Sequence, residues 1–111
     1  MDRIERYRKA IQNLLEQHSQ FGTRNTDVEN ELFFDTIRDH YQLMVVGWQD
    51  LDRIYHTILH FDIKDGMEWL QQNTTDIDVG QELIELGVPK EDIVLGLHPA
   101  YKRPYTGYGV A

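Results

Sequence analysis

Hydrophobic residues follow two different periods along this chain. From Asp2 to Phe21 the apolar positions are Ile4, Tyr7, Ala10, Ile11, Leu14, Leu15 and Phe21, spaced as one stripe of an amphipathic helix. Asp2 stands where an N-cap acceptor is needed, with Glu5 three residues on. Glu5 and Lys9 form an i,i+4 pair of favourable order, and Gly22 supplies a C-terminal stop. The spacing predicts a five-turn helix followed by a polar connection, "TRNTDVEN".

The middle of the chain loses that period. "ELFFDTI", "HYQLMVVGW", "RIYHTILHFDI" and "MEWLQQ" are rich in β-branched and aromatic residues, and turn formers separate them: Arg38-Asp39, Gln49-Asp50 and Lys64-Asp65-Gly66. Four strands on such short connections predict an antiparallel meander. Asp65-Gly66 is its strongest hairpin signal. Aromatic residues occur at both parities, so the face that does not pack on the helix is expected to be partly covered as well.

Helical spacing returns after "NTT". Val79, Leu83, Ile84 and Leu86 share a face, Asp78 and Gln81 resemble a capping box, and Gly87-Val88-Pro89 ends the helix. "KEDIVLGL" reads as a further turn or a short apolar strand, and an extended tail follows. The expected fold class is α+β: helix, four-stranded sheet, short second helix and tail, in a single domain over residues 1–111.

Charge is unevenly spread. Residues 1–9 and 98–111 each carry a net +2, so the body between them carries −12 of the overall −8. Such a body is repelled by a phosphate backbone, and tight direct DNA binding is not expected. The chain has no cysteine, which excludes disulfides, thiolate metal sites and cysteine nucleophiles. "MDRIERYRKA" lacks the apolar core of a signal peptide, and runs such as "LMVVGW" are too short to cross a bilayer, so the expected location is cytoplasmic, without membrane contact.

No constellation marks an enzyme. No nucleophile elbow or glycine-rich phosphate loop is present. In "HTILHFD", strand geometry puts His56, His60 and Asp62 on one face, with His56 about 13 Å from His60 and too far to share an ion. His60 and Asp62 alone do not make a metal site without another strand, for which His40 is the obvious contributor. They read as polar residues on a half-exposed face, and neither metal nor cofactor is expected. Asp39 and His40 are adjacent but face opposite sides of a strand, so they form no dyad. Trp48, Trp69, Phe33, Phe34, Tyr41, Tyr55 and Phe61 lack the basic companions of a base-stacking platform and are expected in the core.

The last fourteen residues, "HPAYKRPYTGYGVA", contain no acid and three tyrosines. Tyr101, Lys102, Arg103 and Tyr105 have the composition of an interface anchor. The prolines keep this segment out of a central strand, so it runs along an edge or over the surface. There it either docks a partner or locks onto its own domain, and the two roles are compatible.

"RDHYQLMVVGW", "HFDIKDGMEWLQQNTTD", "ELIELGVPKEDIVLGLHP" and "YKRPYTGYGVA", in this order, resemble the XisI family, named for the controlling factor of fdxN element excision. The resemblance runs from about Glu31 to Ala111. It implies an accessory protein for a programmed DNA rearrangement in cyanobacteria, in which a site-specific recombinase removes an intervening element. It also implies a partner, the nuclease-like XisH, and supplies no catalytic residues to place. The expected function is therefore non-catalytic control of excision by contact with an XisH-like protein, within or beside a recombinase complex. The alternatives are an acidic DNA mimic that inhibits a nuclease or recombinase, and a metal-dependent enzyme built on His40, His60 and Asp62. A homodimer formed through the open sheet edge is a further arrangement.

Overall fold

The computed structural model describes residues 2–21 and 26–110. Its elements are helix α1 (Arg3–Ser19), strands β1 (Val28–Asp35), β2 (His40–Gln49), β3 (Asp52–Lys64) and β4 (Met67–Asn73), helix α2 (Val79–Glu85) and strand β5 (Ile93–Leu95). The sheet order is β1-β2-β3-β4-β5, antiparallel except for the parallel β4–β5 pair. This is the α+β architecture expected, with five strands where four were predicted. "KEDIVLGL" forms both of its candidate structures, a 3-10 turn at Lys90–Asp92 and then β5.

α1 buries Tyr7, Ala10, Ile11, Leu14, Leu15 and His18, a continuous stripe against Tyr41, Leu43, Leu59, Phe61 and Leu70 of the sheet. The Asp2 carboxylate accepts from Glu5 N–H at 2.8 Å, as the sequence predicts, whereas Glu5 pairs with Arg8 at 3.3 Å and not with Lys9. The helix ends two residues before Phe21, and Gly22 lies outside the described residues. Asn30 Nδ2 donates to the Ser19 carbonyl at 3.0 Å, tying the helix end to β1. That tie corrects the reading of "TRNTDVEN" as a connection only, because Val28–Asn30 pairs with Val45–Gly47 as the start of β1.

Three aspartates at positive φ, Asp39, Asp50 and Asp65, turn the three hairpins. Asp65 and Gly66 form the two-residue link between Lys64 and Met67 with φ of 55° and 76°, the twist a type I′ hairpin requires. Asp39 also fastens helix to sheet. Arg8 Nε donates to its Oδ1 at 2.8 Å, and Tyr41 Oη donates to the same oxygen at 2.8 Å. Burial pushes the Asp39 carboxyl up, but the Arg8 and Tyr41 hydrogen bonds and the Arg8 charge outweigh it and hold the group below its usual range.

α2 is fixed to α1 by His18, whose Nε2 lies 2.6 Å from Glu82 Oε1. Its capping aspartate, Asp78, accepts from Gln81 N–H at 3.1 Å. At the other end Gly87, with φ of 99°, lets Val88 N–H return to the Leu83 carbonyl in a Schellman closure.

Beneath the N-terminal half of α1 lies an acid the sequence did not mark. Glu68 is 0% exposed, and neither carboxyl oxygen has a hydrogen-bond partner. Tyr7, whose hydroxyl donates to Asp92, stands close by. Burial, reinforced by the Asp92 charge, pushes the Glu68 pKa up to about 8. At this carboxyl the native chain therefore holds a proton that the unfolded chain releases between about pH 4.5 and 8, and the contribution of Glu68 to stability falls as pH rises through that window. Glu68→Gln, which cannot ionise, is expected to remove a fall on the order of a few kcal/mol. Denaturant titrations of both proteins at the two ends of the window check this. Parallel pH slopes would mean that Glu68 is already ionised in the native state.

Candidate functional site

The sheet has two faces and one long helix. On the face away from α1, the register aligns Asp35, His40, Asp62 and Trp69 in one row and Phe33, Gln42 and His60 in the next. Further along, Met44, Val46 and Trp48 on β2 meet Thr57, Tyr55 and Arg53 on β3. Trp48 and Tyr55 are among the exposed large side chains, with the Arg53 guanidinium carbon 5.4 and 5.7 Å from their ring centroids. The expectation of core aromatics thus holds for Tyr41, Phe61 and Trp69 and fails for Phe33, Trp48 and Tyr55, which the pleat turns away from the helix.

A register shift between Leu43 and Met44 separates His56 from its expected neighbours. His56 pairs with Val45, whose side chain faces α1, whereas His60 and Asp62 point to the open face. There the contribution anticipated from β2 is made. His40 Nδ1 lies 2.7 Å and His60 Nε2 2.9 Å from the same oxygen, Asp62 Oδ1. A second register shift, between His60 and Phe61, leaves Gln71 between paired residues of β4, and its Nε2 donates to Asp62 Oδ2 at 3.1 Å. Burial raises the Asp62 pKa, but the bonds from His40, His60 and Gln71 and the His60 charge more than compensate, so the carboxyl stays below its usual range. Asp39 turns the other way toward Arg8, so Asp39 and His40 form no dyad, as strand geometry predicts.

Trp69, 8% exposed, is the covered part of this face. Lys64 Nζ lies 3.9 Å from its ring centroid and the Arg103 guanidinium carbon 5.0 Å, so two cations from β3 and the tail share one indole. The chain passes so close at Gly96 that a Cβ there would meet Gln71 Oε1 at 2.7 Å and Trp69 Cε3 at 3.0 Å. From that crossing the tail forms a 3-10 helix, Ala100–Tyr105, and returns to the sheet, where Gly109 bridges Val94. Here too there is no room for a side chain, since a Cβ on Gly109 would stand 2.3 Å from the Glu91 carbonyl oxygen.

The four tail residues selected from the sequence divide into two groups. Arg103 faces inward, stacking on Trp69 while its Nε donates to the His98 carbonyl at 3.1 Å. Tyr101 and Tyr105 face solvent, 72% and 88% exposed, and Lys102 is exposed beside them. Lys102 and Tyr105 line a shallow depression with His98 and Thr106. Tyr108 packs against the core, with Lys90 Nζ 5.0 Å from its ring centroid. Among the described residues no helix is long and apolar enough to cross a membrane.

A helix laid over a mainly antiparallel sheet, with a C-terminal segment fastened across the opposite face, is an arrangement found in solved structures. A XisI-like protein from Anabaena variabilis ATCC 29413 is 52% identical with a TM-score of 0.92, over 99% of this chain and 100% of that one. The fdxN element excision controlling factor XisI from Anabaena variabilis ATCC 29413 is 31% identical with a TM-score of 0.86, again over 99% and 100%. No curated protein sequence matches. The family model described as XisI protein matches residues 1–110, and the chain belongs to the XisI family.

The bonds that fasten the tail generate a test. Arg103→Ala is expected to cost about 1 kcal/mol, the scale of a cation–π contact. It is also expected to speed amide hydrogen exchange across residues 100–106 while leaving α1 and β2 protected. Hydrogen-exchange mass spectrometry reads both effects, and uniform loss of protection would show that the tail and core do not separate.

Proposed function

We propose that this chain is a controlling factor for excision of a DNA element, the role for which its 31% identical relative is named. In this reading it acts in the cytoplasm by contact with an XisH-like protein, within or beside a recombinase complex, and contributes no chemistry to the strand cleavage. The supporting observation is the tail. Tyr101, Lys102 and Tyr105 stand exposed on a short helix that Arg103 and Tyr108 hold against the sheet. Exposed aromatic and cationic side chains on a fixed backbone lose little further entropy on docking, which is how such residues become binding anchors. The exposed Phe33, Trp48 and Tyr55 extend this surface across the uncovered sheet face.

A DNA-mimic reading asks for a dense array of free carboxylates. Several acids of the −12 body are engaged internally: Asp39 by Arg8, Asp35 by Arg38, Asp62 by two histidines, and Glu68 by burial. A second copy paired along β1 would bring Glu29, Glu31 and Asp35 against a like set, which cross-strand electrostatics oppose.

Calorimetry with the XisH-like protein tests the reading. Lys102→Glu combined with Tyr105→Ala is expected to weaken association by roughly tenfold or more while leaving the melting curve of the free chain unchanged. Unchanged affinity in a normally folded variant would remove the tail from the interface. Absence of binding by the unaltered chain would remove the XisH-like partner.

A further inference from the structure

His40 on β2 and His60 and Asp62 on β3 take no part in the core, yet their donor atoms converge. His40 Nδ1, His60 Nε2 and a carboxylate oxygen of Asp62 all lie within 4.8 Å of one another. Both imidazole nitrogens address Asp62 Oδ1, at 2.7 and 2.9 Å. The other oxygen is occupied by Gln71 Nε2 at 3.1 Å, which fixes the carboxylate plane and leaves Oδ1 as the shared atom. Gln71 is itself confined by the close passage of Gly96. A ligating carboxylate oriented by an outer hydrogen bond is the usual supporting arrangement of a metal site.

We infer that His40, His60 and Asp62 form a binding site for a first-row divalent transition metal, of which zinc is the reference case. An ion about 2.0–2.1 Å from each donor sets neighbouring donors about 3.0–3.4 Å apart in octahedral or tetrahedral geometry. The two imidazole–carboxylate separations therefore need to open by a few tenths of an ångström, and the two imidazole nitrogens, within 4.8 Å of each other, close to the same spacing as the ion takes the place of their hydrogen bonds to Asp62, each ring then carrying its proton on its other nitrogen. His40, with its side chain 54% exposed, is free to swing inward. Two imidazoles and one carboxylate select zinc, cobalt, nickel or iron over calcium and magnesium, which prefer all-oxygen sets. Three protein ligands leave at least one coordination position vacant, and it faces solvent on the side of His40, open to water or to a donor from another protein.

The test uses the tag-free chain, titrated with Zn²⁺ by calorimetry and with Co²⁺ by visible absorption. The expected result is a single equivalent of metal per chain. His40→Ala and His60→Ala should each weaken binding by roughly tenfold or more and abolish the Co²⁺ d–d bands. His56→Ala, on the opposite sheet face, should change neither reading. Circular dichroism melts establish that each variant is folded, and His40→Ala alters an exposed side chain, so it remains decisive if His60→Ala fails to fold. No stoichiometric binding by the unaltered chain, or binding unchanged in His40→Ala, would overturn the site.

Discussion

α1 lies across one face of the sheet and presses Tyr7, Ile11, Leu14 and Leu15 into Tyr41, Leu43, Leu59 and Phe61. Burying side chains of this size releases about 1.5–3 kcal/mol each, and among the described residues no other helix offers a comparable apolar stripe. α2 is seven residues long and sits at the margin, bonded to α1 through Glu82 and His18. The consequence is a sheet with one face sealed and the other left to smaller devices. Every candidate for function found here, the imidazole cluster, the exposed aromatics and the fastened tail, belongs to that second face.

The second face is managed by polar and aromatic contacts. A single indole, Trp69, takes the Lys64 ammonium and the Arg103 guanidinium, and two glycines, Gly96 and Gly109, let the backbone approach where no side chain fits. Cation–π contacts of this kind hold a segment without demanding the deep apolar burial that would hide its other side chains. Tyr101, Lys102 and Tyr105 are thereby displayed instead of absorbed. The arrangement leaves room for both roles the tail sequence allowed, since Arg103 locks the stretch onto its own domain while Tyr101, Lys102 and Tyr105 stay exposed for the proposed contact.

Much of this was legible because it is local. The spacing of Tyr7, Ile11, Leu14 and Leu15 specifies α1, Asp65-Gly66 specifies its hairpin, and Asp78 and Gly87 bracket α2. What escaped depends on partners distant in sequence. Val28–Asn30 is strand because Val45–Gly47 lies beside it, and Ile93–Leu95, offered by the sequence as turn or strand, is settled as strand by the edge that β4 leaves. The faces of Phe33, Trp48 and Tyr55 could not be assigned from alternation alone, and the shift between Leu43 and Met44 turns His56 away from His60. Burial of Glu68 had no signal at all, because a carboxylate between Met67 and Trp69 reads as the polar member of an alternating strand.

The two halves of the sheet differ in how far apart along the chain their partners lie. β1 to β4 are joined by tight hairpins, and each can zip onto its predecessor with little loop-closure cost. β5 can pair with β4 only after the chain has travelled through α2, and Gly109 can bridge Val94 only once β5 is in place. Contacts of wider sequence separation carry a larger loop-closure cost. The surface bearing Tyr101 and Tyr105 rests on contacts with Trp69 of β4 and Val94 of β5, so its native geometry depends on the integrity of the strands beneath it.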